Sequence, residues 1–222
     1  KTDKLHDPSE SGQFWRQWIK KDEDYILKGE IPDKNIQHMH DLLYAIVNKY
    51  QKELLIKNLY FSQRLHLIQE IAPESRIIII RRNPFFNAQS LLLAKRKNKY
   101  GNAIWSTRPR NFRDLEKMDD PEQVVKQIYY IEEQISKDIG MFPNNQLLEV
   151  HYEHLMKNTE NAIESIRAFI GPEVKYRKEA ILPELNPSEE IKINSKETAL
   201  LKNHIEELEW KKSLTKGVGL YE

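Results

Sequence analysis

Four consecutive isoleucines, Ile77 to Ile80, constrain the fold more than any other feature of the chain. β-branched residues favour strands, and an apolar run without alternation is typical of a strand covered on both faces, as in a parallel sheet. Arg82 lies two residues after this run, and Pro84 follows it. Proline is tolerated in the first turn of a helix. We therefore predict a buried parallel strand that ends near Arg82 and passes directly into a helix extending to about Lys97.

Further short apolar segments between helical stretches predict the rest of the sheet. Residues 53–57 (ELLIK) and 146–152 (QLLEVHY) are such segments, and each is expected to be a strand. Helical spacing or helix-start signals predict helices beginning near Pro8 and at Pro32-Asp33, and over 60–72, 121–139 and 154–170. Strands alternating with helices predict an α/β domain built on a parallel, layered sheet.

Length and composition limit the classes of protein to consider. A chain of 222 residues is long enough for one α/β domain with a substantial core. The absence of cysteine excludes disulfides, zinc ribbons and thiol catalysis. No stretch approaches the roughly 20 apolar residues of a membrane span, and no signal or transit peptide is visible. We expect a cytoplasmic protein without a membrane span, and its oligomeric state stays open.

Positive charge is concentrated in one part of the chain, although the net charge is only +1. Between residues 76 and 113 there are ten Lys or Arg and no Asp or Glu. Such a window predicts an anionic partner, with nucleic acid, an anionic nucleotide and an acidic glycan as open alternatives. The simpler alternative is a solvated basic face. The ten residues are Arg76, Arg81, Arg82, Lys95, Arg96, Lys97, Lys99, Arg108, Arg110 and Arg113.

The carboxyl ends of the predicted strands are the expected place for a ligand, because ligands of open parallel sheets bind there. Arg82 lies at one such end, and Ser90 lies about a turn into the following helix, so the two side chains can point at a common place. A guanidinium fork, a hydroxyl and nearby helix amides together suit a phosphate. Each residue also has an ordinary interpretation, since arginines at strand ends often form surface salt bridges and helical serines often have no special role.

These residues resemble a known family. The passage IIIIRRNPFFNAQS (77–90) resembles the 3′-phosphate motif of the sulfotransferases that use 3′-phosphoadenosine 5′-phosphosulfate (PAPS). Residues 54–84 are similar to that family's lysine strand, helix and second strand, and residues 147–171 to its Tyr-Glu-Asp-Leu block. Trp105 to Pro109 and the helix from Pro121 are similar to bacterial members of the family. The resemblance spans about residues 8–171.

The resemblance implies a fold, a reaction and four site residues. It implies a single sulfotransferase-like domain over 1–222, with 172–222 as a helical C-terminal extension, and a three-layer αβα fold with a P-loop-type parallel sheet. Arg82 and Ser90 would hold the 3′-phosphate of PAPS, Tyr152 would lie near the adenosine, and Lys57 would face the sulfuryl group. The implied partners are a nucleotide donor and a small-molecule or glycan acceptor, a carbohydrate or glycolipid being favoured, with no metal and no nucleic acid.

The sequence also departs from the family pattern. No Gly-rich loop of the Pro-x-x-Gly-Thr-Thr kind is present, so we expect a chain truncated at its N-terminus and a sheet incomplete there. Leu59 stands where cytosolic relatives carry a catalytic histidine, Phe85 where a basic residue is frequent, and His154 where aspartate is usual. The general base is therefore not identified.

Two alternatives to the sulfotransferase hypothesis stay open: a nucleoside-triphosphate kinase-like fragment, and a non-catalytic anion-binding module for nucleic acid or acidic glycan. Other polar groups have plainer interpretations. His38 and His40 should diverge on one helix, and His151 is expected to be a hydrogen-bonded core residue. Glu132 and Glu133 are expected to be solvated. The basic run at 95–99 either meets an anionic acceptor or only complements a helix dipole.

Overall fold

The computed structural model describes residues 12–19, 24–171, 189–208 and 210, and these form a mostly helical α/β architecture. Three short 3₁₀ helices (Leu59–Gln63, Ile139–Met141 and Asn144–Gln146) accompany the main elements. The main elements are α1 (Gly12–Arg16), α2 (Asp33–Tyr50), α3 (Leu65–Ile71), β1 (Ile77–Arg81), α4 (Pro84–Lys97), α5 (Phe112–Leu115), α6 (Asp120–Asp138), β2 (Leu147–His151), α7 (Tyr152–Lys157), α8 (Thr159–Ile170) and α9 (Ser195–Glu207). The mixed α/β class is as predicted, whereas the three-layer arrangement and the P-loop type stay predictions.

The sheet of the described residues consists of two parallel strands. β1 pairs with β2 from Ile77 opposite Leu147 to Arg81 opposite His151. Both strands were predicted from their apolar runs, and their bounds agree to within one residue. Because the pairing is parallel, the carboxyl ends of both strands lie side by side at one edge of the sheet.

The prediction of a buried strand at 53–57 is wrong. This segment has no regular secondary structure, and its side chains are exposed, with Leu55 at 88% exposure. An apolar run forms a strand only where a neighbouring strand satisfies its backbone N–H and C=O groups. No strand among the described residues pairs with it. Lys57 therefore lies in an exposed, irregular segment rather than at the end of a strand.

The two faces of β1 have different surroundings. Ile77 and Ile79 pack against a cluster centred on Leu65, Ile135 and Phe142, which come from α3, α6 and the loop after it. Successive strand residues point to opposite faces, and on the other face the side chain of Ile80 is 57% exposed. The expectation that both faces are covered is therefore wrong at Ile80 for the residues that the structure describes.

Helices α4 and α6 lie antiparallel and support the ends of the sheet. Lys95 near the end of α4 bonds to Asp120 at the start of α6, while Arg81 just before α4 bonds to Glu132 in the second half of α6. An apolar cluster fills the space between the two helices and α9. It consists of Ala88, Leu92, Val124, Val125, Ile128 and Leu201. The turn that leads from Arg82 into α4 is thus supported by a packed pair of helices.

Two predicted helices are interrupted. The predicted helix over 60–72 is a 3₁₀ helix followed by α3, and that over 154–170 is α7 and α8 with a break at Asn158. Trp15 and Trp18 are buried in a cluster with residues of α2, and the predicted start of the N-terminal helix lies outside the described residues. No helix in the described part of the chain is long and apolar enough to cross a membrane.

Candidate functional site

Arg82 and Ser90 meet at the carboxyl edge of the sheet. Arg82 follows β1 directly, and Ser90 lies on the second turn of α4. Nη1 of Arg82 donates to Oγ of Ser90 over 3.1 Å. The spacing of eight residues allows this contact because the chain turns at Pro84 and the helix brings Ser90 back beside the strand end. Ser90 is exposed, so the pair faces solvent.

Tyr152 contacts the same guanidinium. It begins α7 immediately after β2, and its ring centre lies 4.8 Å from Cζ of Arg82. This is within the range of a cation–π contact, which restrains the plane of the guanidinium. Arg82 therefore contacts both Ser90 and Tyr152, which brings three of the four site residues predicted from the sequence together at the two strand ends.

The two successive arginines at the end of β1 are in different situations. Arg81 is buried, forms an ion pair with Glu132, and places Nε 2.9 Å from Oε2 of Glu149. Arg82 forms no ion pair within the described ranges, and its buried Nε has no acceptor there. A buried donor without an acceptor costs about 1–3 kcal/mol, more when it is charged. The unpaired guanidinium of Arg82 thus suits an anionic ligand, whereas Arg81 is neutralised by the protein.

This arrangement corrects one prediction made from the sequence. Glu132 was expected to be solvated, but its side chain is only 14% exposed and pairs with Arg81. Glu133 does face solvent, with an ion pair to Lys137 one turn along α6. Glu149 also lies 3.4 Å from Nε2 of His151, so His151 has a polar partner at the strand end.

The turn between β1 and α4 is held by hydrogen bonds on both sides of Asn83. The side-chain Oδ1 of Asn83 caps α4 by accepting from the backbone N–H of Phe85 and of Phe86. The backbone N–H of Asn83 donates to Oε1 of Glu153 over 2.9 Å. Glu153 belongs to α7, so the turn that carries Arg82 is tied to the segment that carries Tyr152. The sequence analysis assigned no role to Glu153.

Lys57, the fourth predicted site residue, lies in the exposed segment before the 3₁₀ helix Leu59–Gln63. Asn58 caps this helix by accepting from the N–H of Tyr60 over 2.9 Å. The helix also packs against α6. Lys57 therefore directly precedes a capped helix that is packed against α6.

Much of the basic window serves the fold. The ammonium of Lys95 is 2% exposed and bonds to Asp120 over 2.6 Å and to Gln123. Arg96 bonds to Glu197 of α9 over 2.6 Å, and this bond lowers the pKa of Glu197. Lys95 lies in the last turn of α4, where a cation complements the helix dipole as one of the two predictions has it, and it is also a buried ion-pair partner of Asp120.

A second arginine-rich segment is anchored on a buried carboxylate. The backbone N–H of Arg108 donates to Oδ2 of Asp24 over 2.6 Å, and Arg64 bonds to the backbone carbonyl of Asp24. Burial raises the pKa of Asp24, although the nearby arginines oppose this effect. The side chain of Gln127 in α6 donates to the carbonyls of Trp105 and Thr107 and holds the same loop. These contacts fix the course of the loop before α5.

His38 and His40 face different neighbours, as their spacing on α2 predicts. His38 accepts a hydrogen bond from Nε1 of Trp18 over 3.2 Å, which makes it part of the packing around α1. The ring of His40 stacks on Tyr44 with 4.2 Å between ring centres.

Comparison with protein families gives one match. A family model described as "Sulfotransferase family" matches residues 10–176, which is 167 of the 222 residues. The matched range includes Lys57, Arg82, Ser90 and Tyr152 as well as both strands. No curated protein and no solved structure matches the chain significantly.

Proposed function

Since the chain belongs to the sulfotransferase family, we propose that it transfers a sulfuryl group from PAPS to a hydroxyl or amine of an acceptor. A carbohydrate or glycolipid is the acceptor class that we favour, on the similarity to bacterial members of the family. Sulfuryl transfer in general follows from the family. The donor, the acceptor and the roles of individual residues are the proposal.

One observation carries the assignment of the donor site. The guanidinium of Arg82 is joined to Ser90 Oγ at 3.1 Å and has no carboxylate partner in the described part of the chain. Two N–H groups and a hydroxyl at a helix start form a set of donors that suits a ribose-borne phosphate. The adjacent Tyr152 ring restrains Arg82 and offers an aromatic surface beside it. The residues present therefore fit a 3′-phosphate.

Lys57 is assigned a charge-stabilising role at the sulfuryl group. In an in-line transfer, the bond from sulfur to the phosphate oxygen breaks while the bond from sulfur to the acceptor oxygen forms. Negative charge grows on the leaving phosphate, and a nearby ammonium stabilises it. The acceptor also loses a proton to a base, and Leu59 cannot take it. We place the general base outside the residues that the family motif identifies.

The direct test of this function is nucleotide binding measured by calorimetry on the natural gene product. Arg82→Ala should weaken binding of adenosine 3′,5′-bisphosphate by about 2–3 kcal/mol, because it removes a charged hydrogen-bonding partner. Arg110→Ala is the matched control, since Arg110 is an exposed arginine of the same basic window that lies over the Tyr25 ring. Equal binding by wild type and Arg82→Ala contradicts the proposed donor site.

A competition experiment separates the alternatives. The donor site predicts that adenosine 3′,5′-bisphosphate displaces a labelled nucleotide far better than AMP, which lacks the 3′-phosphate. A kinase-like fragment would instead prefer a nucleoside triphosphate. A non-catalytic module for nucleic acid or acidic glycan would bind polyanions with a steep salt dependence and would not distinguish a 3′- from a 5′-phosphate.

A further inference from the structure

The carboxylate of Glu153 is the strongest unassigned feature near the site. We propose that Glu153 is a positioning residue for the phosphate site: by accepting from the backbone N–H of Asn83, it fixes the turn that aims Arg82 at its ligand. This inference rests on the proposed function, because it concerns how the 3′-phosphate site is held. It concerns a residue that does not itself contact the phosphate.

The geometry places Glu153 between the two halves of the site. Its Oε1 lies 2.9 Å from the N–H of Asn83, the residue that directly follows Arg82. Its neighbour Tyr152 lies against the guanidinium of Arg82. Two successive residues of α7 therefore contact the turn: Tyr152 contacts the side chain of Arg82, and Glu153 accepts from the backbone of Asn83. Together they restrict both the direction and the plane of the guanidinium.

The strand pairing does not need this hydrogen bond. β1 and β2 are joined by their own backbone ladder from Ile77 to Arg81. The ion pair between Arg81 and Glu149 joins them again at the same end. A bond from Glu153 to the turn adds little to the sheet, but it acts on the residue beside Arg82. We therefore expect the loss of Glu153 to affect ligand binding more than stability.

The charge of Glu153 makes the proposal testable by a conservative substitution. A carboxylate beside a phosphate site repels the ligand, so charge alone would favour its removal. What positioning requires is an acceptor oxygen at the position of Oε1, and glutamine retains one. Glu153→Gln should keep the hydrogen bond to Asn83 and lose the repulsion, whereas Glu153→Ala loses both.

The test compares these two variants in the natural gene product, with adenosine 3′,5′-bisphosphate as the probe. Glu153→Ala should weaken binding about tenfold, as expected for the loss of one charge-assisted hydrogen bond that orders the site. Glu153→Gln should bind as tightly as wild type or more tightly. Glu160→Ala is the control, because Glu160 is an exposed carboxylate of α8 without a partner among the described residues. It should leave nucleotide binding unchanged.

Three outcomes would overturn the proposal. The first is that Glu153→Ala binds the bisphosphate as wild type does, and the second is that Glu153→Gln loses as much binding as Glu153→Ala. The third is that Glu153→Ala lowers the thermal midpoint as much as a core variant does, which would make Glu153 a structural residue.

Hydrogen exchange of the Asn83 amide separates this inference from the proposed function. The exchange should be faster in Glu153→Ala and unchanged in Glu153→Gln, whether or not a nucleotide binds. An unprotected Asn83 amide in wild type contradicts the positioning role. Failure of wild type to bind the bisphosphate, with Asn83 protected, contradicts the proposed function instead.

Discussion

Replacement of Arg81 by methionine tests the division of roles between the two neighbouring arginines. The substitution keeps an apolar stem but removes the guanidinium that lies against both Glu132 and Glu149, whose side chains are 14% and 16% exposed. Breaking a buried ion pair from one side costs about 3–5 kcal/mol. Since both carboxylates retain some contact with water, we expect the lower end, about 3 kcal/mol. For a protein of this size that corresponds to a fall of about 6–12 °C in the unfolding midpoint.

The matched variant is Arg82→Met, one residue further along the chain. It should leave the midpoint within about 2 °C of wild type, since Arg82 has no ion pair to lose in the described part of the chain and substitutions at such sites usually cost less than about 0.5 kcal/mol. It should also weaken nucleotide binding. Urea unfolding followed by tryptophan fluorescence and calorimetric binding measure the two effects. The reasoning would be refuted if Arg81→Met lowered the free energy of unfolding by less than about 1 kcal/mol. It would also be refuted if Arg82→Met lowered the free energy of unfolding more than Arg81→Met does.

Two further predictions concern buried groups away from the donor site. Lys95→Met leaves the buried Oε1 of Gln123 without its donor, while the partly exposed Asp120 regains water. The free energy of unfolding in urea should therefore fall by about 1–3 kcal/mol. An unchanged free energy of unfolding would contradict the role assigned to Lys95. Burial lowers the pKa of His66 in the folded protein below its ordinary value of 6.5, against the opposing charge of Asp138. As the pH falls below 6.5 the unfolded chain takes up this proton first, so stability should decrease until the pH reaches the folded pKa. His66→Gln should remove that part of the decrease, and an identical pH dependence in wild type and variant would exclude it.

The contact between Arg82 and Ser90 could be predicted from the sequence because its parts are local. The four isoleucines define β1, and Pro84 together with the Asn83 cap starts α4. Once the strand and helix adjoin, a spacing of eight residues is enough to bring Ser90 to Arg82. No distant part of the chain has to be known for this pair.

The errors arise where the partner is distant in sequence. From the helix pattern alone Glu132 is expected to be solvated. Its partner Arg81 lies 51 residues earlier in the chain, and only the packed fold brings the two together. The Lys95–Gln123 bond joins residues that are 28 apart. The segment 53–57 has the composition of a strand, but it has no strand to pair with among the described residues. Local pattern determines the tendency of a segment, whereas burial and pairing depend on the neighbours that the fold supplies.

The most direct test of the central claim is a crystal structure of the protein with adenosine 3′,5′-bisphosphate bound. The account predicts the 3′-phosphate within hydrogen-bonding distance, about 3 Å, of both the Arg82 guanidinium and the Ser90 hydroxyl. Tyr152 should remain against the same guanidinium. A nucleotide bound elsewhere, or one bound at this edge with its 3′-phosphate turned away from Arg82, would contradict it.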